Sequence, residues 1–175
     1  MNGIISCDNG QFLCDGIDLL KNRKLREKTI AYVPQSPLLI EELTARDNLL
    51  MWYEKSEIDA YLSDGVLKML GIGDFMKTTV KKMSGGMKKR LSIACAVSNK
   101  PRILFLDEPS SALDPICKKA IYDYILRFKA SGGIVILATH DLDELSLCDN
   151  CYVIKDCTLR RFENTGNFHD LVEKL

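Results

Sequence analysis

Two stretches of the chain have residue types and spacing that could hold a metal ion and an anion side by side. In the first, Ile103-Leu104-Phe105-Leu106 runs without a polar break into Asp107-Glu108-Pro109. Such an apolar run reads as a strand buried on both faces, and open α/β sheets bind ligands at the C-terminal ends of their strands. Asp107 there is placed to hold magnesium through water, since magnesium dehydrates reluctantly. Glu108 is placed to orient or deprotonate an attacking water. Taken alone, the pair equally fits a loop with two solvated acids. In the second stretch, Met83-Ser84-Gly85-Gly86-Met87 opens a helix. The glycines let the backbone approach a ligand closely, and the unpaired amides of a helix start attract phosphate. Taken alone, this is also what an ordinary capped helix after a glycine turn looks like.

These residues need a scaffold, and the flanking sequence predicts one. Gln11 to Asp15 reads as a short strand ended by Gly16, and Thr29 to Val33 as another ended by Pro34. Thr44 to Lys55 and Glu57 to Leu70 carry apolar residues at helical spacing, and Gly71 and Gly73 close that region. Ser84 to Val97 is predicted helical, with Met87, Leu91, Ala94 and Val97 on one stripe and Ser84 as N-cap. Pro115 suits the first turn of a helix that runs to Ala130 and stops at Gly132-Gly133. Ile134 to Leu137 reads as a second buried strand, Asp141 to Leu147 as a short helix, Cys151 to Lys155 as a strand, and Phe168 to Leu175 as a closing helix. Strands alternating with helices imply a parallel sheet covered by helices. The block from about Thr44 to Met76 is purely helical and reads as an inserted subdomain.

Composition narrows the class. Hydrophobic residues make up 46% and charged residues 27% of 175 residues, as in a globular domain with its own core. Lysine plus arginine equals aspartate plus glutamate at 24 each, so there is no electrostatic footprint for nucleic acid. No apolar run approaches the ~20 residues that span a bilayer, and the first residues lack a signal-peptide pattern. The expected location is therefore the cytoplasm. Seven cysteines fit reduced thiols there, and the Cys148/Cys151 pair has no second pair at zinc-site spacing. Lys88, Lys89 and Arg90 read as a solvated helix face, with steering of nucleotide as the alternative.

Taken together the motifs resemble the ATP-binding cassette (ABC) ATPases that power membrane transporters. Asp107-Glu108 resembles the Walker B motif, and Ser84-Gly85-Gly86 resembles the signature motif upstream of it. Gln35 in Tyr32-Val33-Pro34-Gln35 looks like the Q-loop glutamine. Ser111-Ala112-Leu113-Asp114 looks like the D-loop, and His140 in Ala138-Thr139-His140-Asp141 looks like the switch histidine. The resemblance covers the whole chain. It implies ATP and Mg²⁺ as cofactors, with Gln35 contacting the magnesium and His140 holding the γ-phosphate and attacking water. It also implies that Ser84 and Gly86 face the ATP of a second ATPase subunit, in a homo- or heterodimer, with Asp114 at the same seam. Integral membrane permease subunits would be the other partners, and the chain would sit on the inner face of the membrane. Met87-Lys88-Lys89-Arg90-Leu91 looks like the branch that serves drug and polysaccharide exporters with separate membrane subunits. The expected architecture is one partial nucleotide-binding domain over 1–175, with a helical subdomain over about 44–97.

One departure from the family is large. A Walker A loop, G-x-x-x-x-G-K-[ST], cradles the phosphates with its amides and lysine. None of the eleven glycines here is followed by lysine. Met1 to Ile5 looks like the end of the helix that follows such a loop, so the sheet is expected to lack its first strands along with the loop. The chain alone is then expected not to turn over ATP. A non-catalytic partner that lends Ser84 and Gly86 to an intact ATPase is the alternative. A cytosolic cassette of DNA repair or translation is a weaker one, because the interval from Gln35 to Ser84 is short for the insertions those carry. The transported substrate is not encoded in these residues.

Overall fold

The described elements begin with a hairpin, β1 (Leu13–Cys14) against β2 (Ile17–Asp18). Asp15 and Gly16 between them have φ of 50° and 78°, as a two-residue type I′ turn requires. The computed structural model describes residues 8–162, and the chain divides into two units between Ala138 and Thr139.

In the first unit, α1 (Arg23–Thr29) follows the hairpin and was not expected from the sequence. Leu25 is its lone apolar residue, so no hydrophobic stripe announces it. Its signals are instead the Asn22 cap, which accepts from the Leu25 amide at 3.0 Å, and an Arg23–Glu27 pair at 2.7 Å one turn apart. It hands the chain directly to β3 (Ile30–Val33).

The helical block is α2 (Ala45–Leu50), α3 (Lys55–Ser63) and α4 (Val66–Met69), followed by single 3₁₀ turns at Ile72–Phe75 and Val80–Lys82. The two long helices expected here are thus broken into three short ones. Asp64 and Gly65 are both extended, and turn-forming Ser63-Asp64-Gly65 outweighs the apolar periodicity around it. Thr44 and Asp47 cap α2 reciprocally. Tyr53 donates a buried hydrogen bond of 2.6 Å to the Ala94 carbonyl of α5 (Gly85–Ala96), which fastens the block to that helix.

The sheet comprises β3, β4 (Ile103–Asp107) and β5 (Ile134–Ala138), all parallel, with β4 central. Ile103, Leu104 and Leu106 are buried; α5 packs on β3, and α6 (Pro115–Ala130), with buried Ile121 and Ile125, packs on β5 and α5. α6 has the bounds its Pro115 start and glycine stop predict. β5 departs from expectation. It reads as buried in the sequence, yet Ile134 and Ile136 are 56% and 37% exposed. Among the described residues β5 pairs with β4 alone, so one edge and part of one face stay open.

The second unit contains α7 (Leu142–Leu145), capped by Asp141, and the antiparallel pair β6 (Cys151–Lys155) and β7 (Thr158–Phe162). The link Asp156-Cys157 has φ of 50° and 58°, a type I′ turn without the glycine that normally betrays one, so the sequence does not announce β7. The closing helix expected at Phe168 to Leu175 lies outside the described residues. Among the described residues no helix is long and apolar enough to cross a membrane, and the cysteines among them are free thiols.

Candidate functional site

Parallel register assembles the first corner of the site. Val33 lies opposite Leu106, so the residues that follow β3 reach the carboxylates that end β4. Gln35 Nε2 donates to Glu108 Oε2 at 3.3 Å, and the Tyr32 hydroxyl donates to Asp107 Oδ2 at 3.3 Å. Both carboxylates are half-buried. Burial first, and the neighbouring Asp107 carboxylate second, push the Tyr32 phenol above its ordinary pKa, so it stays a donor at neutral pH. Glu108 has φ of 42°, a left-handed conformation that costs a non-glycine residue about 1–3 kcal/mol and concentrates at functional sites. Its amide donates to the Ala138 carbonyl at 2.9 Å, which pins the turn to the end of β5. Carboxylate and amide oxygens are the donor set that magnesium takes, and Asp107 with Gln35 provides them.

The second corner is a helix start. Ser84 is the N-cap of α5, its Oγ accepting from the Met87 amide at 3.2 Å, and it is exposed. Gly86 is buried against α6. A Cβ at residue 86 would run into Cys117 Sγ and lie 2.9 Å from Cys117 Cβ, so glycine is a steric requirement there. Gly85 has ordinary room beside Leu113. Asp114 caps α6 by accepting from the Ile116 and Cys117 amides at 3.0 Å. The Cys117 thiol and amide hold its carboxyl below the usual range. Ala112, just before it, also has positive φ, at 57°. The close contact of Gly86 with Cys117 therefore brings the Ser84–Gly86 helix start beside the Ser111–Asp114 loop.

His140 belongs to the second unit, exposed and immediately before the Asp141 cap of α7. Two residues at these corners make contacts that the sequence does not reveal. Tyr32 is one; it alternates with buried Ala31 and Val33 on β3, which ends at Val33, two residues before Gln35. Lys89 is the other. The expectation of a solvated Lys88-Lys89-Arg90 face is overturned: Lys88 and Arg90 are half-buried and Lys89 is buried. Lys89 is 4% exposed, its Nζ donating to the Pro34 and Gln35 carbonyls at 3.0 and 2.8 Å. Arg90 is half-buried, donating to the Leu70 carbonyl at 2.9 Å over the Phe75 ring. The signal was positional: Lys89 lies three residues from buried Gly86 and four from buried Ile93, on one helical stripe.

The family model for ABC transporters matches residues 1–111. The chain belongs to that family. It is an ABC-transporter ATP-binding domain, homologous to known ABC ATPase subunits. ABC transporter A family member 8 of Arabidopsis thaliana is 36% identical over 94% of this chain and 19% of its own length. Nod factor export ATP-binding protein I of Rhizobium etli is 31% identical over 99% of this chain and 55% of its own length. Linearmycin resistance ATP-binding protein LnrL of Bacillus subtilis is 30% identical, with 88% and 51% covered. The ABC domain thus spans about half the length or less of these curated relatives. Among solved structures, an ATP-binding subunit of an ABC transporter superposes with a TM-score of 0.77 at 23% identity, covering 99% of this chain and 73% of the other. A dimeric ATP-binding cassette bound to ADP and Pi gives 0.77 at 24%, covering 93% and 78%. These likenesses establish the fold, a parallel sheet flanked by helices of the P-loop NTPase type.

Proposed function

We propose that this chain supplies the ATP-binding and ATP-hydrolysing part of an ABC transporter and couples that cycle to separate integral membrane permease subunits. The observation that carries the reading is Glu108, in a left-handed turn beside Asp107 with Gln35 on its carboxylate at 3.3 Å. Phosphoryl transfer is mostly positioning and charge stabilisation. Glu108 orients or deprotonates the attacking water, and Gln35 keeps its carboxylate in place. Asp107 and Gln35 would hold a magnesium ion, which neutralises phosphate charge when bound. His140 would hydrogen-bond the γ-phosphate and the water. Ser84, Gly85 and Gly86 would offer the helix start of α5 to nucleotide on a second ATPase subunit, homo- or heteromeric, with Asp114 at the same seam.

In this reading 1–175 forms a single nucleotide-binding domain with a helical subdomain over about 44–97, on the inner face of the membrane and without nucleic acid. Its branch is that of drug and polysaccharide exporters, a reading supported by the names of the Nod factor export and linearmycin resistance relatives. The absence of any glycine followed by lysine favours a second reading for the isolated chain. It would then be a non-catalytic partner that binds ATP poorly by itself and acts through Ser84 and Gly86. The test of Glu108 joins this chain to a Walker A segment from a relative and compares Glu108→Gln with the parent. Turnover should fall with ATP still bound. Equal turnover removes Glu108 from the mechanism.

A further inference from the structure

We infer that Lys89 is a positioning residue that locks the segment carrying Gln35 to the helix opened by Ser84-Gly85-Gly86, and so sets the side chain that touches Glu108. The inference takes the roles of Gln35 and Glu108 from the proposed function; the mechanical link stands on the contacts themselves.

Five observations converge on it. Lys89 is buried on the first turns of α5, where an ammonium group is retained only if its charge is well hydrogen-bonded. Its Nζ donates to two successive main-chain carbonyls, those of Pro34 and Gln35, at 3.0 and 2.8 Å. Gln35 in turn donates through Nε2 to Glu108 at 3.3 Å. The neighbouring Lys88 reaches further along the same segment, to Glu41 at 3.1 Å, with both partners more exposed. The segment has a second anchor of its own. Buried Asn48 accepts from the Ile40 amide at 2.9 Å and donates to the Ile40 carbonyl at 3.1 Å.

The geometry has a consequence. The start of α5 and the carboxylate at the end of β4 are joined by a short relay: helix backbone, Lys89 ammonium, Gln35 carbonyl, Gln35 amide, Glu108. A charge-assisted pair of bonds at one end and a neutral amide bond at the other make Lys89 the stiff element of the relay. A displacement of the Ser84–Gly86 helix start is then transmitted to Gln35, and a displacement of Gln35 back to the helix, without movement of the sheet.

The experiment uses ¹H–¹⁵N spectra of the 175-residue chain without nucleotide. The Gln35 side-chain amide signal, assigned by its loss in Gln35→Met, should move in Lys89→Met in the same direction as in Glu108→Ala. It should return to its parent position in Lys89→Arg, which keeps the charge and the donors. The backbone amides of Gln35, Ser36 and Leu38 to Glu41 should exchange with solvent roughly tenfold faster in Lys89→Met, the scale of losing a charge-assisted hydrogen bond. Lys88→Met should change them little. If Lys89→Met does not fold, the parent still decides. One lysine ammonium signal should be shielded from solvent exchange and should vanish in Lys89→Arg. A Gln35 signal that ignores Lys89→Met, or a parent without a shielded ammonium, overturns the inference. Neither result depends on ATP turnover, so a failure of Glu108 in the hydrolysis test leaves this one standing, and the reverse also holds.

Discussion

The two corners of the site are built by opposite means. The Asp107–Glu108 corner consists of side chains at the ends of parallel strands, aligned by sheet register, by Tyr32 and Gln35, and by a left-handed turn. The Ser84–Gly86 corner consists of backbone: a capped helix start pressed against α6 where residue 86 has no room for a methyl group. One corner is suited to proton handling and metal binding, the other to presenting amides to an anion. Substitutions should therefore fail differently. In the first corner the chemistry goes and the fold stays. In the second the fold itself registers the change.

The largest expected effect is Glu108→Gln in a cassette supplied with a Walker A loop. Steady-state turnover should drop by about 100-fold or more, the scale of losing a general base, with a nearly unchanged melting temperature. Next, Gly86→Ala should cost about 1–3 kcal/mol in denaturant unfolding, the usual penalty for overpacking. Combining it with Cys117→Gly should recover part of that, because Cys117 is the atom source of the clash. Equal losses with and without Cys117→Gly would contradict a steric origin. Tyr53→Phe should cost about 1 kcal/mol, because it removes the buried bond to Ala94 that ties the helical block to α5.

The smallest effect concerns pH. Burial pushes the Cys95 thiol up to about 12 from 9.0, and pushes the Tyr53 and Tyr124 phenols above their ordinary range. These groups bind protons more tightly folded than unfolded. Their contribution is thus fully present below pH 9 and is lost as pH rises from about 9 through 12. Denaturant midpoints should be flat from neutral pH to pH 9 and fall above it, and a decline that begins near neutrality would point elsewhere.

Much of both corners is legible in the sequence, because apolar runs, glycines and paired acids are local signals. Ile103 to Leu106, Ser84 as a cap and Pro115 to Ala130 fell where periodicity and capping put them. What was not legible depended on long-range contacts. Lys89 reads as solvent-facing until carbonyls from beyond β3 are brought to it. α1 has no apolar stripe, and β5 reads as buried because an apolar strand does not announce which of its faces is covered.

The central claim is that the helix-start corner serves nucleotide held by another subunit. The most direct test mixes the 175-residue chain with an intact cassette subunit from a relative and follows phosphate release with ATP and magnesium. The chain alone should release none, the mixture should exceed the intact subunit alone, and Ser84→Arg in this chain should abolish the excess. No excess in the mixture, or an excess undiminished by Ser84→Arg, would contradict it.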